Sequence, residues 1–136
     1  MERLFADTDY WIALLNPRDE LHEKAVAAAR EFIPGQIVTS QMVLTEFLNC
    51  FGESGARLRQ AAARAAAALM ESSQVDVYPQ TSELFHRSLK RYREMADKNW
   101  SLTDCSSFLI MAEEKITGAL THDRHFTQAG FRALLR

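Results

Sequence analysis

The sequence contains few of the residues that cross-link or interrupt a small domain. Its 136 residues include 2 cysteines, 3 prolines and 5 glycines. Two cysteines cannot form a disulfide framework, and Cys50 and Cys105 both fall in apolar helical patterns, where a cysteine is usually a small buried residue. We therefore expect a reduced, cytoplasmic protein that forms one domain over residues 1–136 and is stabilised by its core alone.

Long apolar runs and an excess of positive charge are also absent. No run approaches the roughly 18 apolar residues of a membrane span, so we expect no membrane partner. The opening MERLFADTDYW lacks the apolar stretch of a signal peptide. The net charge of −2 argues against a protein that binds nucleic acid through bulk basic charge. If the substrate is a polyanion, a bound cation or a local basic patch must offset the protein's own acids.

Short apolar segments alternate with helical patterns along the chain. The strand candidates are residues 3–6, 36–39, 75–78, 118–121 and 131–134. The helix candidates are residues 8–15, 20–32, 40–51, 56–72, 81–96 and 102–116. In the helix over 81–96, the apolar positions are Leu84, Leu89, Tyr92 and Met95. This alternation predicts an α/β fold, a three-layer α/β/α domain with a mostly parallel central sheet.

Two aspartates occupy positions where such a fold binds ligands, outside the carboxyl ends of the strands, and a third opens a helix. Asp7 follows the first strand candidate, and Asp123 follows the fourth. Either one alone is also typical of a turn or a helix cap. Asp104 shares a helix face with Phe108 and Met111, and the run from Ser101 fits a capping box. A carboxylate at a helix start can cap the helix and bind a metal at once.

Glu46 is the fourth acid, and it lies on a helix at the edge of an apolar arc, between Met42 and Cys50. A glutamate is rarely buried without a partner, although it can also extend to solvent from the core boundary. Carboxylate oxygens suit Mg²⁺ or Mn²⁺. Two carboxylates about 4 Å apart repel by about 4 kcal/mol at an effective dielectric near 20. A bound cation removes this repulsion and can activate a water molecule.

Four segments resemble the acidic motifs of the PIN-domain family, in the family's order and over nearly the whole chain. They are FADTDYWIALLNPRDELHEKA, SQMVLTEFLN, WSLTDCSSFLIM and ALTHDRHFTQAGF. The third and fourth are especially similar to the VapC-type toxin ribonucleases of toxin–antitoxin pairs. The resemblance implies a PIN-like fold and RNA hydrolysis that depends on Mg²⁺ or Mn²⁺. It also implies a homodimer held inactive by a cognate antitoxin.

The same resemblance assigns roles to individual residues. It makes Asp7, Glu46, Asp104 and Asp123 the catalytic acids. Asp7 and Asp104 are the expected direct metal ligands, with Glu46 and Asp123 as further candidates. Thr8 and Thr121 occupy positions where the family places small polar residues that support the site. Asp9 departs from the family pattern, because many members have Ser, Asn or Gly there, and it adds charge beside the metal.

Two alternatives remain open from the sequence. A haloacid-dehalogenase-like phosphatase would use Asp7 as nucleophile and Asp9 two residues on, but it leaves Glu46 without a role. A non-catalytic PIN-like module would only bind partners, and retention of all four acids argues against it.

The other signals favour ordinary structural roles. His122 and His125 flank Asp123 without the HExxH or Cys/His set of a zinc site, so zinc is not expected. Trp11 and Trp100 can stack on RNA bases, but packing beside the core is the commoner role of tryptophan. Charged residues expected on solvated surfaces are Arg57, Arg59, Arg64, Arg87, Lys90, Arg91 and Asp97.

Overall fold

The computed structural model describes residues 2–136, which form five strands and seven helices. The strands are β1 Leu4–Ala6, β2 Ile37–Ser40, β3 Val75–Tyr78, β4 Gly118–Leu120 and β5 Arg132–Ala133. The helices are α1 Thr8–Leu15, α2 His22–Ala29, α3 Gln41–Cys50, α4 Ala56–Glu71, α5 Ser82–Glu94, α6 Leu102–Glu113 and α7 Arg124–Gln128. All five predicted strands are present, each within two residues of its expected bounds.

The strands form one sheet in the order β3-β2-β1-β4-β5, and every pair is parallel. Helices cover both faces, which confirms the predicted three-layer α/β/α architecture. All residues of β1, β2 and β4 are buried, as expected for central parallel strands between two helical layers. The chain continues from β1 to one side of the sheet and later returns to the other. The switch point of the topology therefore lies between β1 and β4.

Aromatic packing holds the layers together near this switch point. The ring of Phe108 on α6 lies edge-on to Trp100 and to Phe126, with both centroid distances 4.9 Å. Trp100 is buried, and so is Trp11, whose Nε1 donates to Thr39 Oγ1 on β2 at 3.1 Å. Both tryptophans therefore pack largely within the core, as expected.

The helix α5 buries only some of the apolar positions that its sequence supplies. Leu89 and Tyr92 are 38% and 50% exposed, whereas Leu84 and Ser88 are buried. The Ser88 hydroxyl fits this face because it donates to the Leu84 carbonyl at 2.7 Å, which satisfies the polar group within the helix. Leu89 and Tyr92, although apolar, therefore lie on the exposed side of the helix.

Three further predictions are corrected. Cys105 is buried as expected, but Cys50 is exposed, because it lies on the solvent side of α3 with Leu48 and Asn49 while Phe47 and Phe51 pack in the core. The helix predicted over 102–116 ends at Glu113, and Lys115 adopts a left-handed backbone with φ 57°. The short helix α7 was not predicted. Within residues 2–136, no helix combines the length and the apolar character needed to cross a bilayer.

Candidate metal centre

The four predicted acids come together at the carboxyl edge of the sheet. In the β1–β4 pairing, Ala6 lies opposite Leu120, so the residues that follow these two strands meet at the switch point. A pocket of about 210 Å³ lies at this point. Its lining residues are Asp7, Thr8, Asp9, Ile12, Glu46, Ser101, Asp104 and Asp123. Five carboxylates line the pocket, and no lysine or arginine does.

Asp7 is the most deeply placed of these acids, at 5% exposure. Its backbone N–H donates to the Leu120 carbonyl at 3.2 Å, which fixes the residue against β4. Thr121 Oγ1 donates to Asp7 Oδ2 at 2.9 Å. Asp7 occupies the N-cap position of α1 but makes no side-chain capping bond. Burial and then the neighbouring charge of Asp9 raise the pKa of Asp7 well above its usual range.

Asp9 stands beside Asp7 on the first turn of α1. Its Oδ2 accepts from the His122 backbone N–H at 2.7 Å and lies 3.3 Å from Thr121 Oγ1. Burial raises the pKa of Asp9. The other oxygen of Asp9, Oδ1, is buried, and so is Oγ1 of the neighbouring Thr8. Neither of these two oxygens has a hydrogen-bond partner among residues 2–136. Buried polar atoms are rarely left unpaired, so these two oxygens indicate a ligand or an ordered water in the pocket.

Asp104 belongs to the capping box predicted at the start of α6. The Ser101 hydroxyl accepts from the Asp104 backbone N–H at 3.0 Å, and Asp104 Oδ2 accepts from the Ser101 backbone N–H at 3.1 Å. The carboxylate is 7% exposed and lines the pocket, so the cap also positions it at the site. Burial raises the pKa of Asp104, although the Ser101 hydrogen bond opposes this effect.

Asp123 and Glu46 lie nearer to solvent. Asp123 Oδ1 accepts from the His125 backbone N–H at 2.9 Å and caps α7. Glu46 is exposed, yet its neighbours Val43 and Phe47 on α3 are fully buried and hold it at the rim of the pocket. Asp97, in contrast, is an exposed acid paired with Lys98 at 3.2 Å and does not line the pocket.

The donor set fits a hard divalent cation. Every charged group lining the pocket is a carboxylate, and oxygen ligands are those that Mg²⁺ and Mn²⁺ take in proteins. The raised pKa values of Asp7, Asp9 and Asp104 show that the fold opposes a full set of negative charges here. A bound divalent cation would favour the ionised carboxylates. The cation or its water ligands would also offer a partner to the unpaired oxygens of Thr8 and Asp9.

Comparison with known proteins identifies the architecture. The profile of the PIN domain matches residues 4–132. The chain belongs to the PIN domain family. VapC20 of Mycobacterium tuberculosis, a 23S rRNA-specific endonuclease, is 32% identical over 130 residues, which cover 94% of this chain and 95% of that protein. The crystal structure of that protein, described as a sarcin–ricin loop cleaving toxin, aligns with a TM-score of 0.84 at 30% identity, over 94% of this chain and 95% of the other.

More distant structures share the PIN fold alone. The crystal structure of FitAcB from Neisseria gonorrhoeae aligns with a TM-score of 0.66 at 15% identity, over 96% of this chain and 94% of the other. The structure of FitAB bound to an IR36 DNA fragment aligns with a TM-score of 0.71 at 14% identity, over 98% of this chain and 96% of the other. The architecture is therefore retained where little of the sequence is.

Membership of the PIN family favours the nuclease over the phosphatase alternative. The phosphatase gives Glu46 no role, whereas the pocket contains Glu46 together with the three aspartates. Sequence analysis underrated two residues of this PIN site. Asp9 appeared only as a departure from the family pattern, and His125 was considered only as a zinc ligand. The unpredicted helix α7 is what places the His125 ring 2.9 Å from Asp104.

Proposed function

We propose that this PIN-domain protein is a Mg²⁺- or Mn²⁺-dependent endoribonuclease and the toxin of a toxin–antitoxin pair. The observation that carries the proposal is the pocket itself. Four acids from distant parts of the chain line it, next to two buried oxygens that lack a partner. Similarity to a 23S rRNA-specific endonuclease over nearly the full length of both chains supports the choice of RNA as substrate.

In this proposal, Asp7 and Asp104 hold the cation, because both are buried with a carboxylate at the pocket. The cation would activate a water molecule and offset negative charge on the phosphate. Thr121 keeps Asp7 and Asp9 in place through its hydroxyl, and the capping box keeps Asp104 in place. Glu46 and Asp123, on the open side, orient the attacking water by accepting its hydrogen bonds.

The test is cleavage of purified 23S rRNA by the purified protein with Mn²⁺, and again with EDTA. We expect cleavage only with the metal. Asp104→Asn should lower the rate more than about 100-fold, since loss of an outer-shell partner alone costs 10–100-fold. Asp97→Asn is the matched control, because this acid is solvated and lies outside the pocket. It should cleave like the wild type.

Two outcomes would change the proposal in different ways. A cut confined to the sarcin–ricin loop would extend the substrate similarity with VapC20 to this chain. Absence of metal-dependent cleavage across varied RNAs would contradict the nuclease proposal and favour the non-catalytic PIN-like module.

A second part of the proposal concerns the antitoxin. Helices α1, α3 and α4 enclose an apolar groove of about 440 Å³, lined in part by Trp11, Leu14, Phe47 and Leu69. We propose that an amphipathic helix of the antitoxin lies there. Co-expression with a small reading frame beside the gene tests it. Leu69→Asp should abolish the complex, and Ala67→Asp, on the exposed side of α4, should retain it.

We also propose a homodimer through α5. Phe85, Leu89 and Tyr92 are exposed at spacings of four and three, which places them on one helix face. Such a stripe is typical of a surface covered by another chain. Sedimentation velocity should show a dimer for the wild type and for Lys90→Glu, but a monomer for Leu89→Glu. A monomeric wild type at all concentrations would contradict this part.

A cytoplasmic location completes the proposal. Cys50 and Cys105 are both free thiols, which suits a reducing compartment, and cellular RNA is available there. Recovery of the native protein in the soluble cytoplasmic fraction would support it, and recovery outside the cytoplasm would contradict it.

A further inference from the structure

His125 lies beside the acid pocket and contacts two of its acids. Its ring Nδ1 is 2.9 Å from Asp104 Oδ2 and 3.4 Å from Asp123 Oδ1. Its backbone N–H also donates to Asp123 Oδ1. The ring itself is not among the residues that line the pocket. His125 therefore joins a carboxylate on α6 to a carboxylate that follows β4.

Each of these two acids has one oxygen engaged and one oxygen available. The engaged oxygen of Asp104 is Oδ2, which accepts from the Ser101 backbone N–H and from His125 Nδ1. The engaged oxygen of Asp123 is Oδ1, which accepts from the His125 backbone N–H and lies 3.4 Å from its Nδ1. Among residues 2–136, no donor reaches Asp104 Oδ1 or Asp123 Oδ2. The donors therefore fix each carboxylate by one oxygen and leave the other oxygen for a ligand.

The backbone at His125 is firmly held. The next residue, Phe126, is fully buried, and its ring packs edge-on against Phe108 of α6 at 4.9 Å. The His125 side chain is only 19% exposed. The imidazole therefore has little freedom to leave the two carboxylates.

We propose that His125 is a positioning residue for the metal site. Its Nδ1–H donates to the Asp104 carboxylate, and its backbone N–H donates to the Asp123 carboxylate, beside which the ring also lies. These contacts orient the free oxygens of both acids toward one cation. This inference rests on the metal-dependent function proposed above. It differs from zinc ligation, because the imidazole acts through the acids and contributes no ligand atom. Outer-shell hydrogen bonds of this kind orient ligands and tune metal affinity in other metal sites.

The experiment measures Mn²⁺ affinity without RNA, by calorimetric titration and by the rise in melting temperature with Mn²⁺ alone. His125→Phe keeps an aromatic ring but cannot donate, and His125→Ala removes the ring. Both should raise the half-saturating Mn²⁺ concentration about tenfold or more. His125→Asn places an amide N–H near the position of Nδ1, so it should stay within about threefold of the wild type.

His86→Ala is the control, since this exposed imidazole on α5 bonds the Ser82 carbonyl of its own helix and lies outside the site. It should bind Mn²⁺ like the wild type. Far-UV circular dichroism checks the fold of each variant, and His125→Phe decides the question if His125→Ala does not fold.

The outcomes separate this inference from the proposed function. If the wild type binds Mn²⁺ and folded His125→Phe binds it equally well, the positioning role is wrong while the metal site stands. If His125→Asn is as weak as His125→Phe, the hydrogen-bond role is wrong. If the wild type shows no response to Mn²⁺, the metal site itself is wrong and the positioning role falls with it.

Discussion

At the residue scale, the pocket disfavours the ionised forms of its own carboxylates. Asp7, Asp9 and Asp104 are buried or nearly so, and burial is the largest cause of the raised pKa of each. Thr121 and Ser101 supply hydrogen bonds that favour the ionised forms of Asp7 and Asp104, but these bonds do not outweigh burial. A site that binds a cation is expected to carry such a cost in the metal-free state.

Removing one buried charge should therefore stabilise the metal-free protein. We expect Asp7→Asn to melt at a higher temperature than the wild type at about pH 7.5 with EDTA, because the amide carries no charge to repel Asp9. The same variant should lose most of the rise in melting temperature caused by Mn²⁺. Asp97→Asn should change neither value. A lower melting temperature for metal-free Asp7→Asn would contradict this account of the pocket.

The raised pKa values also predict the pH dependence of stability. The pKa values of Asp7, Asp9 and Asp104 are higher in the folded state than in the unfolded state, so the folded state binds more protons. This proton binding contributes its full stabilisation below the ordinary aspartate pKa of about 3.9. That contribution is lost as the pH rises through the folded-state values.

Thermal melts with EDTA over about pH 4–8 measure this effect. The melting temperature of the wild type should fall with rising pH more steeply than that of Asp7→Asn, which has lost one titrating group. Equal slopes for the two proteins would show that the Asp7 carboxyl does not titrate as described.

The four motif acids could be predicted from the sequence because each stands at a strand end or on a helix with a clear pattern. The supporting contacts could not. Asp9 accepts from His122, 113 positions away, and His125 reaches Asp104 across two helices. Such contacts depend on tertiary placement, which local patterns do not contain.

At the element scale, the capping box at the start of α6 both stabilises the helix and places the Asp104 carboxylate in the pocket. Ser101→Ala removes the hydroxyl that accepts from the Asp104 backbone N–H, so we expect the free energy of unfolding to fall by about 1 kcal/mol. Urea denaturation measures the change. Ser73→Ala, at an exposed position outside the helices, is the control. An unchanged midpoint for Ser101→Ala would show that the capping box does not stabilise α6.

The face of α5 gives a second prediction at this scale. Ser88 is fully buried against α6, so Ser88→Leu should overpack the interface and cost about 1–3 kcal/mol. Leu89→Ala changes an exposed side chain and should cost much less. Urea denaturation of both variants compares the two costs. A larger cost for Leu89→Ala would contradict the placement of Ser88, and not Leu89, on the buried face.

Elements were predictable where their pattern is long or strongly apolar, as in α4 and the central strands. The buried face of α5 was not evident from its pattern, because it includes a serine whose hydroxyl is satisfied within the helix, whereas Leu89 is exposed. Helix α7 has five residues, too few for a helical period to appear in the sequence.

At the scale of the whole molecule, alternating elements predicted the parallel sheet and its layers. The strand order did not follow from the sequence, because it depends on which side of β1 each later strand joins. That order matters for function, since it sets the switch point between β1 and β4 where Asp7 and Thr121 meet. The assignment of residues 1–136 to one domain stays a prediction.

The most direct measurement is an anomalous difference map from crystals soaked in Mn²⁺ at about pH 7.5. The account predicts a strong peak inside the pocket, bound by the carboxylates of Asp7 and Asp104, and its loss in crystals of Asp104→Asn. A pocket without manganese at saturating concentration, or manganese bound only elsewhere on the protein, would contradict the claim that these acids form a metal centre.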